Sequence, residues 1–304
     1  MVQESMFDVI IVGGGPGGMS AAMVLGRALR TVLLIDEGEP RHAVTKASHG
    51  YLTRDGIEPD TFRTIAQQEL QQYPTIQRLG DTVRAVGWEK SYFSIVTASG
   101  ARWWSRRVII ATGMKETLPS IKGLKDVYGI SVFPCPYCDG FERKGKSLAL
   151  FVSGEKLLSF TKLLYNWSRD VIVFTNGYSE VPVAAQKECE ERGIRIVTSP
   201  VKALLSHRGV LTTVVTHNGE HIARNAGFID HPPAYVPLYI PGITHNKRHG
   251  LEGDHHGETK VKGLYVIGDA KNAFTGLIGA AAEGYEAGVE INHSLVEEDW
   301  DRRN

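Results

Sequence analysis

Cys135 and Cys138 stand three positions apart in the run Cys135-Pro136-Tyr137-Cys138-Asp139-Gly140. Two cysteines at this spacing can close a small disulfide ring, and such a pair commonly lowers the pKa of one thiol, so that a thiolate is available for exchange. The adjacent Asp139 can trade a proton with a departing thiol. Zinc would ask for two more ligands, yet there is no second C-x-x-C, and the third cysteine, Cys189, stands alone in a predicted helix. The pattern points to redox use of the pair, with no metal expected and Cys189 a bystander.

A second group is Gly13-Gly14-Gly15-Pro16-Gly17-Gly18, which contains G-x-G-x-x-G as Gly13, Gly15 and Gly18. The first glycine makes a tight turn, the second lets the backbone approach a pyrophosphate, and the third lets helix and strand pack closely. The apolar run ending at Val12 precedes it, a helical pattern follows it, and Asp36 lies 18 residues after Gly18, where a carboxylate bonds ribose hydroxyls. Dinucleotide binding is the expectation. Two weaker strand ends accompany it: Ala111-Thr112-Gly113, whose small residues permit close backbone approach, and Gly268-Asp269 before a helix. His231, between a strand and two prolines, is a candidate proton acceptor near the thiols. His245, His249, His255 and His256 lie in a polar segment expected to be a surface loop.

These residues require elements to hold them. Phe7–Val12 reads as a buried parallel strand, Met19–Leu29 as a helix and Thr31–Asp36 as a second strand, followed by loop over residues 41–60 and a helix from about Asp60 to Tyr73. Runs on either side of Ser99-Gly100 predict a hairpin entering the core at Val108-Ile109-Ile110. A second strand and helix alternation starts at Ser147, with helices at Glu155–Trp167 and Val183–Glu191, then a hairpin-like stretch over Val201–Ile222. The chain closes with a strand at Gly263–Gly268 and a small-residue helix over Gly276–Leu295. Prolines near 119 and the Pro241-Gly242 pair mark crossings. The fold class is therefore α/β with two doubly wound, Rossmann-like domains, one made from residues 1–118 and 242–304, the other inserted as residues 119–241 and carrying the cysteines.

Composition narrows the function. At 304 residues the chain has room for about two domains. Lysine plus arginine and aspartate plus glutamate both total 34, so no net field draws it to nucleic acid or to anionic lipid. No apolar run approaches the ~18 residues that a membrane helix needs. The N-terminus lacks the basic start of a secretion signal, and three cysteines do not make a structural disulfide framework, so a cytoplasmic protein is expected.

Taken in order, GGGPGG, Ala-Thr-Gly before a proline, C-x-x-C-D-G and a late Gly-Asp resemble a low-molecular-weight thioredoxin reductase over the whole length. The resemblance implies a discontinuous FAD domain that binds through Gly13, Gly15, Pro16, Gly18, Asp36, Ala111, Thr112, Gly113, Gly268 and Asp269, a central domain of pyridine-nucleotide type, and a homodimer. It also implies that Cys138 faces the flavin, that Cys135 is the interchange thiol, and that Asp139 is the acid/base. Two departures stand out. The second G-x-G-x-x-A/G is replaced by Val152-Ser153-Gly154-Glu155-Lys156-Leu157-Leu158, and the arginine-rich patch for NADPH by Phe174-Thr175-Asn176-Gly177. NAD(P)H therefore lacks its usual signals, and Glu155 adds an unfavourable carboxylate. Thr112–Pro119, CPYCDGFE and Phe228–Pro233 look more like a divergent branch that includes the dithiol oxidases of gliotoxin and holomycin biosynthesis and bacterial flavoproteins reduced by ferredoxin. The expected partner is a thioredoxin-like protein or a small-molecule dithiol or disulfide, with ferredoxin or oxygen as the further redox partner. A non-catalytic flavin redox sensor is the alternative from another class.

Overall fold

A computed structural model describes residues 6–89, 92–178 and 180–302. In chain order the elements are β1 (Met6–Val12), α1 (Pro16–Arg27), β2 (Val32–Asp36), α2 (Pro59–Leu70), β3 (Ile76–Gly80), β4 (Val83–Glu89), β5 (Tyr92–Thr97), β6 (Arg102–Ile110) and β7 (Lys115–Glu116). The middle of the chain adds α3 (Leu124–Val127), β8 (Val132–Phe133), α4 (Pro136–Asp139), β9 (Leu148–Phe151), α5 (Lys156–Tyr165), β10 (Val171–Phe174), α6 (Val183–Glu190), β11 (Arg195–Val197), β12 (Val201–His207), β13 (Val210–Thr216), β14 (His221–Ala223) and β15 (Ala226–Ile229). β16 (Ala234–Tyr235), β17 (Leu264–Val266), α7 (Asp269–Asn272) and α8 (Gly276–Asp301) complete it.

The chain forms two compact units: Met1–Ala43, Pro59–Lys115 and Ala234–Asn304 in one, Val44–Glu58 and Glu116–Pro233 in the other. The second crossing thus follows Pro233, eight residues before the Pro241-Gly242 pair. Val236, Leu238 and Ile240 explain the difference, because they are buried in the first unit's core with Ile10, Val12 and Ile110. The first crossing falls after Lys115, and the Thr117 N–H donates to Pro233 O at 2.8 Å within the second unit. The segment Val44–Glu58 joins the second unit, where Val44 O lies against Gly129; a side chain there would come within 2.5 Å of that oxygen.

In the first unit the sheet runs β3-β2-β1-β6-β5-β4, with β17 beside β6. β3, β2, β1, β6 and β17 are parallel, while β4, β5 and the first half of β6 form an antiparallel extension. Both faces of the parallel part are covered. Val9 and Ile11 pack toward Met19, Leu25, Ile291 and Leu295, and Ile10 and Val12 toward the opposite core, so the strand reads as continuous apolar sequence. Small residues allow α1 and α8 to touch: a side chain on Gly284 would meet Gly17 O at 2.1 Å.

The second unit repeats the plan with a five-stranded parallel sheet, β11-β10-β9-β15-β8, and a separate antiparallel sheet, β12-β13-β14. The stretch expected as one hairpin over 201–222 is this three-stranded sheet. β3, β4 and β8 had no clear periodic signal: β3 is a largely exposed edge, and β8 is two residues long.

Candidate functional site

In the first unit, the glycine turn follows β1, Asp36 ends β2, Ala111-Thr112-Gly113 follows β6, and Gly268-Asp269 follows β17 by one residue. Because these strands are parallel neighbours, all the residues emerge on one edge of the sheet, at its carboxyl ends. The backbone is shaped there by glycine. Gly13 has φ +108°, and a side chain on it would meet Ala111 O at 2.3 Å; one on Gly18 would meet Gly13 O at 1.9 Å. Side-chain carbons built on Gly15 or Gly113 would meet nothing within 4 Å, so the turn is open toward the edge. Helix α1 begins with Pro16 and has no side-chain cap, leaving its first-turn N–H groups available to an anion.

Charged groups fix this edge. The Gly14 N–H donates to Asp36 Oδ1 at 3.0 Å, and Arg63 Nη2 donates to Asp36 Oδ2 at 2.8 Å. Asp269 accepts from Arg41 Nη1 at 2.6 Å and from the Thr275 N–H at 2.8 Å, while Gly268 N–H donates to Glu283 at 2.8 Å. His42 keeps a buried Nε2 with no hydrogen-bond partner. Burial, then the nearby Arg63 cation, push its pKa down, against Asp269 and Asp60. An open glycine turn, uncapped helix amides and an orphaned imidazole nitrogen fit a group rich in hydrogen-bond acceptors and phosphate, as FAD is. Arg41 and His42 carried no signal in the sequence because their loop has no repeating pattern, and Arg63 and Glu283 carried none because their partners, Asp36 and Gly268, lie on other elements.

The second unit places the cysteines. Cys135 follows β8 by two residues and caps α4, its Sγ accepting from the Cys138 N–H at 3.3 Å. The two cysteines are joined as a disulfide, with Cα atoms 5.3 Å apart. Cys135 is buried and Cys138 half-buried. The turn is tightly seated: a side chain on Gly140 would meet the Trp167 ring at 2.9 Å, and Tyr137 packs edge-on against that indole at 5.7 Å. Asp139 is buried. Desolvation pushes its carboxyl up to about 6, opposed by the Arg143 and His49 charges and reinforced by Glu142. Phe228 pairs with Phe133, so Asp230 and His231 leave β15 beside Pro134 and Cys135 leaving β8; His231 is exposed. His49 is the residue that sequence reading missed, because its segment, 44–58, has no period and lies some ninety residues from the cysteines. Cys189 is buried and its thiol pushed up by burial, which makes it a poor nucleophile.

The nucleotide-type turn of this unit, between β9 and α5, has a different character. Gly154 keeps φ +65°, and Lys156, at the first position of α5, forms an ion pair with Asp230 at the end of the neighbouring strand β15. After β10, Asn176 turns back and its Oδ1 accepts from the Val201 N–H at 2.9 Å. Among the described residues no group of three or more His, Cys, Asp or Glu side chains is arranged to hold a metal ion, and no helix is long and apolar enough to cross a membrane.

Residues 7–288 match the model of the family described as pyridine nucleotide-disulphide oxidoreductase, and the chain belongs to that family. It is similar to a thioredoxin reductase, sirT, of Leptosphaeria maculans, at 30% identity over 99% of this chain and 98% of that one. It is 34% identical to a probable thioredoxin reductase of Arthroderma benhamiae over 57% of this chain, and spans only 45% of that longer relative. Among solved structures, TrxB from Bacillus anthracis superposes with a TM-score of 0.92 at 34% identity, over 96% of this chain and 99% of that one. Fold and family together define a thioredoxin reductase-like flavoprotein disulfide oxidoreductase.

Proposed function

We propose that the chain passes electron pairs between FAD, held at the strand ends of the first unit, and the Cys135/Cys138 pair, and from there by exchange to or from an external disulfide or dithiol, without a standard nicotinamide site. The observation that carries this reading is the second unit itself. A C-P-Y-C disulfide sits beside a buried carboxyl pushed up to about 6, while the nucleotide turn is spanned by the Lys156–Asp230 ion pair.

Gly13, Gly15 and Gly18 keep the turn clear of side chains so that the first N–H groups of α1 meet the pyrophosphate, Pro16 starts that helix without an N–H of its own, and Asp36 takes the ribose hydroxyls. Ala111, Thr112, Gly113, Gly268 and Asp269 line the remaining edge. The flavin, when bound, accepts or supplies two electrons. The protein's own residues do the thiol chemistry. A substrate thiolate attacks Cys135 Sγ, the Cys135–Cys138 bond breaks, and Cys138 leaves as a thiolate that takes the proton of Asp139. A second substrate thiolate then attacks the substrate sulfur of the mixed disulfide, closing the substrate disulfide and releasing Cys135. His231 accepts a proton from the incoming thiol. In reverse, the same steps reduce a disulfide.

The partner is a thioredoxin-like protein or a small-molecule dithiol or disulfide, met by a homodimer in the cytoplasm. Ferredoxin supplies electrons in the reductive direction. The altered nucleotide turn favours a second reading, oxidation of a small dithiol with oxygen as the acceptor, because that direction needs no nicotinamide. Anaerobic bleaching of the flavin by NADPH, NADH and a dithiol in separate cuvettes tests both. Rapid bleaching by either nicotinamide overturns the loss of the site. Bleaching by dithiol alone, reversed on admitting air, supports the oxidase direction. Bleaching by dithiol with slow reoxidation by every acceptor would instead mark a redox sensor.

A further inference from the structure

The segment 44–58 closes on itself: the Ser48 N–H donates to Ile57 O at 2.8 Å and the Gly56 N–H to Ser48 O at 2.9 Å. The loop so formed holds one imidazole. Asp55 Oδ1 accepts from the Gly50 N–H at 2.8 Å and lies 3.5 Å from His49 Nδ1, and His49 Nε2 lies 3.6 Å from Glu142 Oε1. Glu142 sits on the turn that directly continues the Cys135–Asp139 run, and its other oxygen lies 3.8 Å from Arg143 Nη1. Arg143 is itself fixed, with its guanidinium 4.3 Å over the Phe133 ring and Nη2 donating to Ile130 O. The charges of Arg143, His49 and Glu142 act on Asp139, and the groups that lie against His49 are Asp55 and Glu142. The Asp55 side chain is 71% exposed and that of His49 20%, so the cluster runs from buried Asp139 outward to water.

We infer that His49 is a positioning residue of the dithiol site: clamped between Asp55 and Glu142, it decides at which pH the buried Asp139 gives up and regains the proton used in thiol–disulfide exchange. This rests on the reading of Asp139 as the proton donor. When the Cys135–Cys138 bond breaks, Cys138 thiolate takes the Asp139 proton, leaving a buried carboxylate. That anion then regains one proton from water, and the sum is one proton moved from solvent to Cys138. A cation at position 49 favours the Asp139 carboxylate, and a neutral group there lets Asp139 keep its proton to higher pH.

The test is the pH profile of flavin bleaching by dithiothreitol under anaerobic stopped-flow conditions with the holoenzyme. The wild type should show a limb falling as Asp139 deprotonates. His49→Gln should move that limb upward by roughly half a pH unit, about threefold in rate on its slope. His49→Lys should return it to the wild-type position or below. Asp55→Asn, at an exposed site that does not touch Asp139, should shift it in the same sense as His49→Gln by less, and reads the same relationship if position 49 does not tolerate change. Asp139→Asn should abolish the limb. A limb absent in Asp139→Asn but unmoved in both His49→Gln and Asp55→Asn overturns the role of His49. A limb that survives Asp139→Asn overturns the reading beneath it.

Discussion

Lys156 Nζ lies 3.0 Å from Asp230 Oδ2, tying the start of the helix after β9 to the end of the adjacent strand β15. In a doubly wound sheet this is where a dinucleotide pyrophosphate approaches the helix N-terminus. Here a carboxylate, Asp230, occupies the favourable side of the lysine, and Glu155 adds another next to it. The wild-type protein should therefore give no saturable change with NADPH or NADH in isothermal titration. Asp230→Asn should alter urea stability by less than about 1 kcal/mol, since Lys156 is well exposed and such pairs contribute little. Tight NADPH binding by the wild type would show that the ion pair opens readily.

The cysteines should divide cleanly in a substitution experiment. Cys138→Ser and Cys135→Ser should each bind flavin as the wild type does, because the glycine edge belongs to the other unit, yet each should lose dithiol-linked turnover by a factor of at least about 100, as expected when a covalent step is removed. Thiol titration after denaturation should count one fewer oxidisable pair in both. Turnover that survives Cys138→Ser with every dithiol and disulfide would show that exchange proceeds elsewhere.

The glycine turn was legible in the sequence because a pyrophosphate-binding turn constrains residue type directly: Gly13 at φ +108° and Gly18 against Gly13 O admit no side chain. The Cys135/Cys138 spacing was legible for a similar reason, since three residues of one turn bring the Cα atoms within bonding reach. The second crossing follows Pro233 and not the Pro241-Gly242 pair, because a Pro-Gly pair signals a turn wherever it occurs, and nothing local shows that Val236, Leu238 and Ile240 are buried in the first unit's core. His49, Arg63 and the Lys156–Asp230 pair were illegible because they depend on long-range packing. His49 meets Glu142 across some ninety residues of chain, a distance over which no periodic pattern carries information.

Asp139 also links the site to stability. Its carboxyl is raised from 3.8 to about 6, with burial the largest cause. A group raised in the folded state favours folding when protonated, so its contribution is fully present below the unfolded value of 3.8 and is lost as pH rises through about 6. Asp139→Asn should therefore match the wild type near pH 4 and exceed it at pH 8 by up to about 3 kcal/mol in urea unfolding, while thiol exchange slows roughly 100-fold. Equal stability at both pH values would mean that the buried carboxylate is solvated in a way that the side chains around it do not supply.

Two glycines of one turn should respond differently, and the contrast separates structure from binding. Gly18→Ala would place a carbon 1.9 Å from the backbone oxygen of Gly13 and 3.3 Å from Ile11 Cγ2. It should destabilise the first unit by on the order of 3 kcal/mol and remove flavin as a consequence. Gly15 has φ −76° and ψ −176°, a conformation open to any residue, and a carbon built there meets no protein atom within 4 Å. Gly15→Ala should leave urea stability of the apoprotein within about 1 kcal/mol of the wild type, because no protein contact changes. Its flavin content, read from the ratio of visible to ultraviolet absorbance after purification, should nevertheless fall, because the space it fills is the approach of the pyrophosphate to the helix amides. Full flavin occupancy in Gly15→Ala would place the phosphates away from this turn, and with them the assignment of Asp36 to the ribose.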